Sequence, residues 1–166
     1  WQGAFELSKI LSNPVMVPKD QLFVQEMISA FNYAEHDRDA RIRQYLAIAM
    51  GATGDIRYLE TLLNALDESE TEVTKASSFA LGNIGDRRAV DKLIGLLDSA
   101  SPQIRLQAVI ALGKIGDPNA IPELKKMLMD LEPNVKWDAA IALAKQKDGS
   151  GKRILLDLSL IHISEP

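Results

Sequence analysis

Apolar residues along this chain fall at spacings of three and four, and the same set returns at a fixed interval. Ile42, Val73, Ile104 and Val135 stand in one column, and Ile48, Phe79, Ile110 and Ile141 in a second. Ala49, Ala80, Ala111 and Ala142 form a third, and Met50, Leu81, Leu112 and Leu143 a fourth. Every column steps by 31 residues, and so do Asp55, Asp86, Asp117 and Asp148. A constant period of this length marks a stacked array in which one supersecondary unit is repeated. Within each unit the spacing predicts two amphipathic helices, one before a Gly-Asp pair and one after it. The second helix reads Leu59, Leu62, Leu63, Leu66, then Val90, Leu93, Ile94, Leu97, then Ile121, Leu124, Leu128 with Lys125 in place of an apolar member. No stretch alternates with period two for long enough to predict a strand.

The near-identical words ALGNIGD (Ala80 to Asp86) and ALGKIGD (Ala111 to Asp117) are then helix end, turn and helix start. Gly54, Gly85 and Gly116 stand where the first helix stops and the chain reverses, a place that favours the left-handed conformation glycine tolerates. The aspartate that follows is the N-cap of the second helix, so Asp86→Ala or Asp117→Ala should cost about 0.5–2 kcal/mol. Ser101 and Pro102 offer an N-cap and a proline at the first helical position of the next unit. The alanine column, with Gly82 and Gly113, keeps side chains small where a helix lies close between neighbours.

At the start, WQGAFELSK aligns with WDAAIALAK from Trp137, placing Trp1 over Trp137 and Leu7 over Leu143, so the chain opens inside a first helix. Ser12 to Asp20 holds two prolines and reads as a longer loop. A helix follows from about Asp20, with Leu22, Val24, Met27, Ile28 and Phe31 as its apolar side. In the last unit Lys147 replaces the turn glycine and DGSGKR predicts a weak cap. The final LSLIHISEP leaves the repeat and resembles translated adapter read-through. The predicted fold is all-α, a right-handed α-solenoid (α-α superhelix) of about five stacked helix pairs. It forms a single array over residues 1–158, with a truncated pair at 1–34 and repeats at about 39–69, 70–100, 101–131 and 132–158. Residues 159–166 are expected to be a non-native or disordered tail.

ALGKIGDPNAIPEL and the aligned ALGNIGDRRAVDKL resemble the HEAT-like repeat named after phycobilisome lyases, a short member of the HEAT and armadillo class. The resemblance runs over about Asp39 to Leu158, and more weakly over Trp1 to Ala34. It implies a binding scaffold whose second helices line a concave side. Some members sit inside enzymes, among them bilin lyases, a tRNA-modifying reductase and DNA glycosylases, so the repeat does not name an activity.

Charge changes the picture little. A net charge of −4 argues against a dedicated nucleic-acid binder, which carries a basic surplus. The absence of cysteine excludes disulfides and thiolate metal sites in this stretch. No apolar run is long enough to span a bilayer, and a chain that begins with Trp1 is expected to be part of a longer protein. His36 and His162 stand apart, with no second ligand at metal-site spacing. DGSGK (Asp148 to Lys152) lacks the strand, the earlier glycine and the Ser or Thr of a phosphate-binding loop, since Arg153 follows it. The Gly-x-x-Gly pairs at Gly82 to Gly85 and Gly113 to Gly116 lack the sheet of an RNA clamp. Trp1 and Trp137 are expected to pack between units. Arg43, Arg105 and Lys136, interrupted by Thr74, are expected to form a ladder with turn aspartates of neighbouring units, of small value if exposed.

No catalytic residue, cofactor site or metal site is therefore assigned. The exposed positions of the second helices are the candidate partner-binding strip: Arg57, Glu60, Thr61 and Asn64, then Arg88, Asp91 and Lys92, then Asn119, Glu123 and Lys126. Its mixed signs, with only Tyr58 near as an aromatic platform, suit a protein or peptide partner better than a nucleic acid. The leading expectation is a non-catalytic interaction scaffold. The alternatives are a nucleic-acid-binding or base-modifying module, and a docking or regulatory segment of a larger enzyme or membrane-anchored protein.

Overall fold

A computed structural model describes residues 1–37 and 39–163, with side chains as far as Asp157. Among the described residues there are ten α-helices and no strand. The chain forms two compact units, residues 1–89 and residues from Val90 onward.

The first unit contains α1 (Gln2–Leu11), α2 (Gln21–Tyr33), α3 (Arg41–Thr53), α4 (Leu59–Asn64) and α5 (Thr71–Ile84). α3 packs against α1 on one side and α5 on the other, with α2 against α3 and α4 against α5. Its core holds Leu11, Val24, Met27, Phe31, Leu46, Met50, Leu59, Leu62, Val73 and Leu81. Asp20 caps α2 as expected, its Oδ1 accepting from the Phe23 N–H at 2.8 Å. Leu22, read as part of the apolar side of α2, is instead 65% exposed. It lies in the first turn, ahead of the face formed by Val24, Met27 and Phe31.

The second unit contains α6 (Val90–Gly95), α7 (Pro102–Ile115), α8 (Ile121–Met127), α9 (Pro133–Lys145) and α10 (Lys152–Ile163). α9 packs on α7, α8 and α10, and α6 packs on α7. Leu93, Leu112, Leu124, Val135 and Leu143 are fully buried. α10 includes Ser159 to Ile163, the first part of the expected tail, and Ser164 to Pro166 lie outside the described residues.

The turn chemistry recurs as the sequence predicts. Gly54, Gly85 and Gly116 have φ of 65°, 75° and 70°. The next aspartate then caps a short 3-10 turn: Asp55 accepts from Arg57 N–H, Asp86 from Arg88 N–H and Asp117 from Asn119 N–H, each at 2.9 Å. The fourth turn departs from expectation. Asp148 is a full cap, accepting from Ser150 N–H at 2.9 Å, and Lys147 takes the left-handed conformation itself, with φ 62°. Ser101 occupies the N-cap of α7, but its hydroxyl donates to Gln103 Oε1 at 2.9 Å rather than accepting from the helix. Proline at the next position has already removed one of the free N–H groups.

Small residues set the spacing of adjacent first helices. A Cβ on Gly51 would lie 2.6 Å from the Ala80 Cβ, and one on Gly113 would lie 2.7 Å from the Ala142 Cβ. Each glycine of α3 and α7 thus meets an alanine one repeat further on, and no side chain fits between. Gly51 shares its column with Gly113 and is a close-approach glycine as well. In the DGSGK loop a Cβ on Gly151 would lie 2.6 Å from the Ala140 Cα; this packing accounts for a glycine without a phosphate ligand.

Candidate binding surface

The second helices of both units bury their apolar residues and present the polar ones outward. Arg57, Glu60, Asn64 and Arg88 are exposed in the first unit, and Thr61 is half-buried. In the second unit Asp91, Lys92, Asn119 and Lys126 are exposed and Glu123 is half-buried. Tyr58 is not part of this surface. It is 1% exposed and wholly within the core, where burial pushes its hydroxyl up to about 12. It therefore offers no face on which a base could stack.

Two of the strip's cations are held in place by the turns that precede them. The Arg57 guanidinium donates from Nε to both oxygens of Asp55 at 3.0 Å and from Nη2 to the Lys19 carbonyl at 3.3 Å. Arg88 Nε donates to Asp86 Oδ1 at 2.9 Å, and Arg88 Nη1 stands 3.8 Å from Glu60 Oε1. The same carboxylate therefore caps a helix through the backbone of residue i+2 and fixes the side chain of that residue. Hydrogen bonding from the guanidinium holds Asp55 and Asp86 below the usual carboxylate range. Arg41 and Asp39 form a third such pair, Nε to Oδ1 at 2.8 Å. Further along, Lys126 Nζ pairs with Glu123 at 2.7 Å within one turn of α8.

Arg43 and Arg105, expected to meet turn aspartates, pair with other acids. Arg43 is buried and grips Glu68 with two nitrogens, and its guanidinium lies 4.3 Å from the Phe31 ring centre. Arg105 grips Asp130 in the same way and also donates to the Ser99 carbonyl at 2.8 Å. In both repeats the acid lies 25 residues downstream, in the segment that closes the repeat. A turn aspartate does bind across repeats, but through the second helix: Lys125 Nζ stands 2.8 Å from Asp148 Oδ2. Lys125, the polar residue in an apolar register, is thereby explained. Together with the Ser150 bonds it holds Asp148 down to about 2.

Trp1 packs as expected, stacked on Tyr45 at 6.2 Å between ring centres, with Arg41 4.7 Å from its own. Trp137 is half-buried beside a cavity of about 610 Å³ in the second unit. His36 is exposed in the turn Ala34–His36, and the His162 side chain lies outside the described residues.

This geometry, with paired helices, Gly-Asp turns and glycine-alanine helix contacts, defines a helical-repeat protein of the HEAT and armadillo class. The family model described as HEAT repeats matches residues 29–103, 59–144 and 93–160, and the chain belongs to that family. Solved structures agree on the fold. The chain is similar to a crystallised engineered protein at 22% identity and TM-score 0.64, covering 98% of this chain and 79% of that one. It is also similar to a computationally designed armadillo repeat protein for modular peptide recognition, at 19% identity and TM-score 0.59, covering 95% and 84%. A designed armadillo repeat protein in complex with the peptide (KR)4 gives 19% identity and TM-score 0.64 over 95% and 84%. No curated protein matches.

Proposed function

We propose that the chain is a non-catalytic scaffold that binds a protein or peptide partner on its second-helix side, the side that lines the concave surface in the resembling HEAT-like family. The candidate contacts are Arg57, Glu60, Thr61, Asn64 and Arg88 on the first unit and, taken by itself, Asp91, Lys92, Asn119, Glu123 and Lys126 on the second. The supporting observation is the pre-ordering of the cations. Arg57 and Arg88 are anchored by Asp55 and Asp86 while their side chains keep 39% and 58% exposure. An anchored guanidinium loses less freedom when it meets a ligand, so its hydrogen bonds contribute more to affinity. The designed armadillo neighbours made for or crystallised with peptides supply a precedent of fold.

A displayed peptide library panned on the protein provides ligands for the test. Arg57→Gln with Arg88→Gln in one variant, and Lys92→Glu with Lys126→Glu in another, should weaken a selected peptide by about tenfold or more. The thermal midpoint should change little. Peptides that bind both variants as tightly as the parent would place the interaction on another face.

A further inference from the structure

The repeat pattern supplies a cation at residues 43, 105 and 136, and two of the three have their acid 25 residues on. Where the cation gives way to Thr74, the corresponding position 99 is serine. Cation and acid therefore come and go together, until Lys136. Its matching position is Ile161. Asp130, which stands near enough to feel the charge of Lys136, has both oxygens engaged by Arg105 and one also by the Glu132 N–H. Lys136 is thus a half-buried cation in the place of a paired residue, with no acid paired to it among the described residues.

It lies on the wall of the cavity of about 610 Å³, together with Leu128, Met129, Trp137, Arg153 and Asp157. Two cations face one acid, so the lining is net positive. The apolar part is open to solvent, since Met129 is 84% exposed. A cavity of this size takes a few residues of extended peptide.

We propose that this cavity is a docking site for an acidic peptide segment of a protein partner. A carboxylate of the segment meets Lys136 and Arg153, and an adjoining apolar side chain covers Trp137 and Met129. The carboxylate takes the role that Glu68 and Asp130 play for Arg43 and Arg105. The site is separate from the second-helix strip and stands or falls without it.

The chain's own Leu128 to Pro133 text, which supplies the acid for Arg105, gives the probe. In a Trp1→Phe background Trp137 is the remaining tryptophan of the two. Acetyl-Leu-Met-Asp-Leu-Glu-Pro-amide is titrated against its Asn/Gln counterpart while Trp137 fluorescence is followed. The acidic peptide should give a saturable change, with the amide peptide at least about tenfold weaker. Lys136→Met should weaken the acidic peptide by a similar factor and Lys136→Arg should restore it, while Asp157→Asn should tighten it. Arg57→Gln with Arg88→Gln should leave the response unchanged. Equal binding of the two peptides, or parent-like binding by a folded Lys136→Met variant, overturns the proposal. If Lys136→Met does not fold, Arg153→Gln and the peptide pair decide it by the same criteria.

Discussion

Arg105 and Asp130 form a two-pronged ion pair, Nε to Oδ2 at 2.8 Å and Nη2 to Oδ1 at 2.9 Å, that ties the start of a repeat to the segment closing it. Both side chains are largely out of water, at 16% and 6% exposure. Removing the guanidinium leaves a carboxylate with little solvent to turn to. Arg105→Met should therefore destabilise by about 2 kcal/mol in urea unfolding, less than a wholly buried orphan charge because the pair touches solvent. Asp130→Asn added to Arg105→Met should recover part of that loss.

The close helix contacts predict opposite effects for the same substitution. Gly51→Ala and Gly113→Ala drive a methyl group into Ala80 and Ala142, and each should cost about 2 kcal/mol as the helices separate. Gly95, also helical, has nothing within 4 Å of an added Cβ. Gly95→Ala should stabilise by about 0.5–1 kcal/mol through the unfolded chain. Thermal midpoints of the three variants measured side by side check both signs.

Lys147 holds a left-handed conformation that glycine adopts at the other three turns. Lys147→Gly removes a steric cost of about 1–2 kcal/mol and adds unfolded-state freedom that returns part of it, for a net gain of about 0.5 kcal/mol. Gly85→Ala should lose about 1 kcal/mol by the reverse argument. Denaturant midpoints at constant slope are the readout.

Acid should weaken the fold in a defined window. Asp148 titrates at about 2 in the folded chain, with Lys125 the main cause, against about 3.9 when unfolded. Its contribution is present above about pH 4 and lost as pH falls toward 2. Asp55, Asp86 and Asp130 are depressed in the same direction by Arg57, Arg88 and Arg105. Asp148→Asn keeps an N-cap acceptor but removes the titration, so unfolding midpoints should fall less steeply below pH 4. Asp138 runs the other way, because burial raises its carboxyl and Lys145 offsets this only in part. It disfavours the fold as pH rises past the unfolded value. Asp138→Asn should raise the melting temperature at pH 7 and change it little at pH 3.

The fold was legible because a repeat prints the same physical requirement several times. Asp55, Asp86, Asp117 and Asp148 announce caps, and Ala49, Ala80, Ala111 and Ala142 announce close helices, each supported by its copies. The pairing of Arg43 with Glu68 and Arg105 with Asp130 was less visible. Acid and cation are 25 residues apart and change together in the first three repeats, a relation visible only when columns are compared in pairs. Tyr58 is buried and Leu22 exposed, the reverse of what their spacing predicts, because a shift of one position along a helix turns a side chain far enough to exchange core and solvent. Of the candidate strip, eight positions are exposed as read while Thr61 and Glu123 are half-buried, and the anchoring of Arg57 and Arg88 by their own turns, which depends on rotamers, is not visible in the sequence.

First helices that meet glycine to alanine, one repeat apart, are the contacts on which the stacked fold rests. Nuclear Overhauser spectroscopy on methyl-labelled alanine reads this directly. Cross-peaks between the Gly51 α-protons and the Ala80 methyl, and between the Gly113 α-protons and the Ala142 methyl, are expected together. Absence of both in a folded, helical sample, with these methyl groups contacting other segments, would contradict it.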